Sequence, residues 1–310
     1  MVSLAQRDRL GVHGLVSSPE KADLIIFVEH STDAGAYFQD VRKNAVYKRF
    51  TDRCFLFSST DRVIPFLPGV YAGIEQRWYR PAWVRSGPYL GISIRQPPAR
   101  EPAPGCPRYL FSFVGTPHSA PVRKHIVQLR HPRALIRDTA AANQNLLTPE
   151  EYADTLRGSS FILCPRGGGT SSFRLFETLA LGRVPVIISD KWTPPRGPDW
   201  PSFSLHVAER DISQIPALLE AREAQAPDMG RLARQAWDEW FAADVLFHRI
   251  VEWCLEIDAG AHARGRLTPI YPHMQLLRPY HAMRWFARNL GHGSWRLPRG
   301  LYKLLGVPTR

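Results

Sequence analysis

Phe161-Ile-Leu-Cys-Pro-Arg-Gly-Gly-Gly-Thr-Ser-Ser-Phe-Arg-Leu-Phe-Glu-Thr-Leu-Ala-Leu-Gly182 is the stretch on which the fold turns. Its first residues, Phe161–Leu163, are a short apolar run of the kind a buried strand needs. The run leads into Cys164-Pro165-Arg166 and three glycines, Gly167, Gly168 and Gly169. Thr170, Ser171 and Ser172 then open a helix over 172–181, closed by Gly182. Glycines let backbone amides come close to a ligand. A helix start offers free N–H groups and partial positive charge to an anion. Arg166 adds a full charge beside that loop. Arg166, Gly167, Gly168, Ser171 and Ser172 therefore form a candidate diphosphate cradle. The competing reading is a glycine-rich turn that only joins a strand to a helix. No GK[ST] follows, so the loop is not a Walker loop, and it lacks the third glycine of the GxGxxG fingerprint.

On the predicted helix, Arg174 follows Ser171 by three residues and precedes Glu177 by three, so the three share a face. Phe173, Phe176 and Leu179 are expected on the buried side. An exposed Arg–Glu pair contributes little by itself. Beside a phosphate loop, a carboxylate at Glu177 is suited to accept hydrogen bonds from ribose hydroxyls.

Outward from this motif, strand and helix alternate. Strands are expected at Tyr109–Val114, Ala134–Arg137, Val184–Ser189 and Leu205–Val207, and helices at Val122–Leu129, Pro149–Arg157 and Ile212–Arg222. Thr148 before Pro149 is an N-cap followed by an N1 proline. Toward the N-terminus, Asp23–Glu29 and Cys54–Ser58 read as strands and Ala36–Arg49 as a helix. The alternation implies an α/β protein with parallel sheets, which bind ligands beyond the carboxyl ends of their strands. Residues 97–107 hold five prolines in eleven residues and read as an extended spacer. The expected division is 1–105, 106–258 and a basic extension over 259–310.

Length and composition fit such a two-domain protein: 310 residues, 44% hydrophobic and 22% charged. No apolar run approaches the ~18 residues of a membrane span, and residues 1–14 lack the apolar core of a signal peptide. A cytoplasmic address is expected. The cysteines at 54, 106, 164 and 254 suit neither zinc nor a disulfide framework and are expected as free thiols. The net charge of +12 is concentrated: residues 259–310 carry nine Lys or Arg and no Asp or Glu. In 276–305, basic residues interleave with Trp285, Phe286, Trp295 and Tyr302, a pattern suited to peripheral contact with an anionic membrane. Two other readings compete for this tail: a helix folding back onto the N-terminal domain, and a solvated extension. Nucleic acid would answer the charge but not the glycine-loop constellation, and is not expected as a partner.

Residues 160–216 resemble the signature region of exostosin-family glycosyltransferases. The likeness runs through CPRG at 164–167, SFRLFE at 172–177, the PVI and SD–W steps between 185 and 192, Trp200 with Phe203-Ser204, and ERDI at 209–212. Weaker continuations cover LFSFVGTPHSAPVRK at 110–124 and DRVIPFLPGVY at 61–71. The resemblance implies a GT-B fold, in which two Rossmann-like domains face each other across a cleft, and inverting transfer from a nucleoside-diphosphate sugar, with a UDP-sugar the expected donor. It places Arg166 and Arg174 near the diphosphate and Glu177 at the ribose, and it matches Arg123 to the donor-binding basic residue after the first donor-domain loop. An oligosaccharide acceptor is expected, or a lipid-linked one if the basic tail contacts a membrane. No Asp-x-Asp occurs in the sequence, so no metal or other cofactor is expected; arginines suit a departing diphosphate. The general base is expected from the N-terminal domain, with Glu29 the first candidate and His30, Asp33 and Asp61 behind it. Two further readings are a fucosyltransferase-like enzyme using a GDP-sugar and a non-catalytic nucleotide-sugar or glycan-binding protein.

Overall fold

The computed structural model describes residues 1–29, 38–61, 63–90, 107–140 and 147–262. The spacer up to Cys106, the candidate bases His30 and Asp33, and the basic stretch from residue 263 onward lie outside the described residues.

Two parallel sheets carry the fold. The first contains β1 (Ile25–Glu29), β2 (Cys54–Ser58), β3 (Gly69–Tyr71) and β4 (Val84–Ser86), in that spatial order. Its strands run in register from Ile25 opposite Cys54 to Glu29 opposite Ser58. The short helix α1 (Val2–Ala5) precedes it, and α2 (Gln39–Lys43) and α3 (Ala45–Arg49) lie between β1 and β2. The single helix expected before β2 is broken at Asn44, which is extended (φ −60°, ψ 136°) and accepts the Val46 amide at 2.8 Å. An asparagine that caps a new helix ends the old one.

The second sheet contains β5 (Tyr109–Gly115), β6 (Ala134–Asp138), β7 (Ser159–Pro165), β8 (Val184–Ile188) and β9 (Leu205–His206). Its spatial order is β6-β5-β7-β8-β9, all parallel. The chain leaves β5 in one direction and later builds from β7 in the other. Strand order therefore reverses between β5 and β7, and a doubly wound sheet opens its ligand crevice at such a reversal. The first sheet, in simple sequential order, has none among its four strands.

The helices around the second sheet are α4 (Pro121–Ile126), α5 (Pro149–Arg157), α6 (Phe173–Ala180), α7 (Trp200–Phe203), α8 (Ile215–Arg222), α9 (Ala226–Trp240) and α10 (Leu246–His262). A full capping box starts α5: Thr148 Oγ1 accepts from Glu151 N at 3.1 Å, and Glu151 Oε2 accepts from Thr148 N at 2.8 Å. Gly182, at φ +62°, follows α6 in the left-handed conformation that ends helices. The helix expected from Ile212 begins as a 3-10 turn over Glu209–Gln214, and the α-helix proper starts at Ile215. Pro216 explains this, since proline fits the first turn of a helix and not its interior.

The buried residues form three clusters. One lies between the sheets and joins Phe55, Phe57 and Val70 of the first to Ile162, Cys164 and Ile187 of the second, with Phe176, Leu179, Trp237 and Trp253 from the helices. The others lie on the outer faces, one against α4 and α8 and one around Leu56, Ile64 and Tyr71. Helix α10 begins in the 106–258 stretch, runs on to His262, and packs on β3 and β4 of the first sheet. There Glu256 accepts a hydrogen bond from the buried Arg85 Nε at 3.0 Å. Cys54, Cys164 and Cys254 are buried, and burial pushes the Cys164 and Cys254 thiols each up to about 12. Such thiols are packing groups rather than nucleophiles.

Candidate nucleotide site

Strand β5 ends at Gly115 and β7 ends at Pro165, so both deliver their chains to the reversal point. Two arginines converge there. A Cβ on Gly115 would stand 3.0 Å from Arg174 Nη2 and 3.6 Å from Arg123 Nη1. Both guanidinium groups lie over the Phe113 ring, at 4.7 Å for Arg174 and 5.9 Å for Arg123. Arg123, on α4, is tied to the far side of the crevice: its Nε donates to Arg166 O at 2.9 Å and its Nη2 to Pro165 O at 3.3 Å. A Cβ on Gly167 would come within 3.3 Å of Arg123 Nη2. Glycine at 115 and 167 keeps this space open.

Arg174 is 8% exposed. Its Nη2 donates to Val114 O; Nε and Nη1 make no close hydrogen bond among the described residues, and the Tyr152 hydroxyl is the polar group beside the guanidinium. A buried cation with two unanswered donors is costly unless something negative joins it. Burial, and next the charge of Arg174, lower Arg123 to about 10. An anion between the two would offset both effects. Ser171 Oγ is also buried and unpartnered among the described residues. Ser172 flanks α6 without a side-chain capping bond, and Thr170 Oγ1 ties the loop to Ile74 O of the N-terminal half at 3.0 Å.

Arg166 stands differently from its sequence reading. Its Nε and Nη2 hold Glu209 in a fork at 2.6 and 2.9 Å, and that hydrogen bonding raises its pKa. Asp190 and Glu75 add further negative charge nearby. Its charge is thus already answered, and Arg166 braces the ends of β7, β8 and β9. Arg174 does not pair with Glu177 across the helix as a surface couple; it turns inward to Val114. Glu177 instead accepts from Tyr152 Oη of α5 at 2.7 Å. Phe173, expected on the buried side of α6, is 47% exposed, and its ring stacks on Tyr89 at 4.0 Å.

Among the candidate bases within the described residues, Asp61 is the one brought to the loop. A Cβ on Gly168 would stand 2.8 Å from Asp61 Oδ2, and one on Gly169 would overlap Oδ1. Tyr89 Oη donates to Asp61 Oδ1 at 3.3 Å. Glu29 ends β1, the edge strand of the first sheet, opposite Ser58. Gly115 and Glu209 lay in stretches whose resemblance was visible. Tyr152 and Tyr89 carried no local signal, because their partners lie 25 and 28 residues away in sequence.

Residues 91–222 match the model of the Exostosin GT47 domain. Over these residues the chain is similar to the exostosin family. An exostosin-1 homolog of Caenorhabditis elegans is 42% identical over 93 residues, 29% of this chain and 24% of its own length. A probable glucuronoxylan glucuronosyltransferase of Arabidopsis thaliana is 45% identical over 71 residues, 22% of this chain and 16% of its own. Exostosin-1 of Drosophila melanogaster is 32% identical over 125 residues, 39% of this chain and 15% of its own. The chain thus spans a quarter or less of the length of these relatives. The exostosin match takes in Gly115, Arg123, Tyr152, Arg166, Arg174, Glu177 and Glu209, whereas Asp61 and Tyr89 precede it.

The Tyr152–Glu177 pair yields a test specific to the nucleoside. Tyr152→Phe is expected to weaken UDP binding about tenfold, the worth of one hydrogen bond to a charged group, and to weaken inorganic pyrophosphate binding much less. Paired titrations with the two ligands check it. Equal losses for both would place Glu177 with the phosphates and not the ribose.

Proposed function

We propose that this protein is a glycosyltransferase that moves a sugar from a nucleoside-diphosphate donor to a saccharide acceptor, with inversion and without a metal. The observation that carries the reading is the Arg123–Arg174 pair at the strand-order reversal, with Arg174 buried and two of its donors unanswered. The exostosin match over the same residues supports it. In this reading the two parallel sheets are the halves of a GT-B enzyme, the second holding the donor and the first facing the acceptor.

Arg123 and Arg174 take the diphosphate, their forks suiting phosphate oxygens. Glu177, oriented by Tyr152, accepts from the ribose. Asp61 faces the glycine loop from the other sheet and serves as the general base in place of Glu29. Its carboxylate takes the proton from an acceptor hydroxyl as that oxygen bonds to the anomeric carbon. The bond from that carbon to the diphosphate oxygen breaks, the diphosphate leaves with the electron pair, and the configuration inverts. The arginines stabilise the charge on the leaving diphosphate, the task a divalent cation performs elsewhere. Among the described residues no cluster of three His, Cys, Asp or Glu side chains could hold a metal.

A donor panel tests the reading. UDP-, GDP- and CMP-sugars are offered to the purified protein, and thermal stabilisation and nucleotide release are scored. The relatives named as glucuronosyltransferases make a UDP-linked uronic acid the first donor to try. A UDP-sugar is expected to stabilise the protein and to be turned over at the same rate with and without EDTA. Stabilisation with no turnover on any acceptor would indicate a nucleotide-sugar-binding protein. Loss of turnover in EDTA with rescue by Mn²⁺ would refute the metal-free mechanism.

A further inference from the structure

Phe173 is the only aromatic among the exposed large hydrophobic side chains of the described residues. It begins α6, four residues after the last glycine of the loop, and so stands at the mouth of the candidate site. The ring is held in place: Tyr89, 3% exposed, stacks beneath it at 4.0 Å and 23°. Tyr89 in turn donates to Asp61, and Asp61 abuts Gly168 and Gly169. One face of Phe173 is therefore fixed against a residue that follows the first sheet, and the ring remains half-open to solvent.

Along α6, Phe173 and Glu177 lie one turn apart and are more open than the buried residues around them. The two ends of this stripe have different neighbours. Glu177 is joined to Tyr152 on α5 of the second sheet, whereas Phe173 is joined to Tyr89 and, through it, to Asp61. With the ribose at Glu177, the nucleoside extends toward α5. Phe173 is then left at the opposite end, beside the carboxylate that must meet the acceptor hydroxyl.

We infer that Phe173, braced by Tyr89, is a stacking platform for a pyranose ring of the acceptor saccharide. This rests on the donor reading above. A pyranose with equatorial hydroxyls presents a face of C–H groups, whose weakly positive hydrogens complement the negative face of an aromatic ring. Rigid aromatic walls with a few convergent polar groups are the usual lining of small-molecule sites. The platform would set the acceptor's orientation, and Asp61 would select which hydroxyl reacts.

An array of immobilised oligosaccharides, neutral and uronic-acid-containing, is probed with the wild-type protein and with Phe173→Ala and Phe173→Trp, each with and without UDP. UDP affinity of the three proteins is measured separately. Phe173→Ala is expected to lose roughly tenfold in retention on the glycans that hold the wild type, Phe173→Trp to retain them, and all three to bind UDP within about twofold of one another. The platform is overturned if Phe173→Ala holds glycans as the wild type does, if the wild type holds none, or if Phe173→Ala loses UDP affinity instead, which would mean the ring stacks on the nucleobase. Failure of the wild type to bind UDP is a separate result. It would remove the donor reading while the glycan arm still decides the role of Phe173.

Discussion

Arg174→Met is expected to lower UDP affinity by about a hundredfold or more while leaving the unliganded protein as stable as the wild type, or more so. The two expectations have one origin. In the unliganded protein Arg174 is a buried cation bonded to Val114 O with two donors unanswered. Val114 O and the Phe113 ring offset its desolvation only in part, so a methionine of similar length and apolar character removes a cost. With UDP present, the same donors meet phosphate oxygens, and charge-assisted bonds of about 1.5–3 kcal/mol each are lost in the variant. Two such bonds amount to about a hundredfold or more in affinity. Calorimetric titration with UDP, together with thermal melts without ligand, checks both halves. A variant that melts much lower yet binds UDP normally would make Arg174 a structural residue.

The second large effect is at Asp61. Asp61→Asn keeps the shape that packs against Gly168 and Gly169 and keeps an acceptor oxygen for Tyr89, but removes the basic carboxylate. Turnover is expected to fall by about 10² to 10⁴, the range for loss of a general base, with UDP affinity changed less than about threefold. Glu29→Gln is expected to leave turnover near the wild-type value. Initial rates of UDP release in the presence of acceptor separate the two. Full activity in Asp61→Asn, or a comparable loss in Glu29→Gln, would move the base elsewhere.

These residues also mark where the sequence could be read and where it could not. Helix α5 was legible to the residue because its start is local chemistry: Thr148 caps it, Pro149 takes the first helical position, and Glu151 completes a capping box with Thr148. The β7–loop–α6 unit was legible for the same reason, with an apolar run, three glycines and a closing Gly182. The strand–helix alternation gave the second sheet, and its β6-β5-β7-β8-β9 order then locates the crevice at Gly115 and Gly167. What failed to show was whatever depends on partners distant in sequence. Arg166 reads as a free cation until Glu209, 43 residues on, closes its fork. Arg174 and Glu177 read as a helix pair until Val114 and Tyr152 take them apart. Phe173 shares a three-residue spacing with Phe176 and Leu179, but at the first turn of α6 it meets Tyr89 and solvent in place of the core. Helix α9 and the crossing helix α10 went unread, and α10 is the element that packs the chain's later half onto β3 and β4.

The central claim is that the crevice between β5 and β7 holds a nucleoside diphosphate on Arg123 and Arg174. A crystal structure of the protein with UDP tests this most directly. The account predicts the diphosphate between Gly115 and Gly167, within hydrogen-bond distance of Arg174 Nε or Nη1, with the ribose on Glu177 and the Arg166–Glu209 fork unbroken. A diphosphate seated on an Arg166 released from Glu209, with Arg174 still turned to Val114 and its other donors still unanswered, would contradict it.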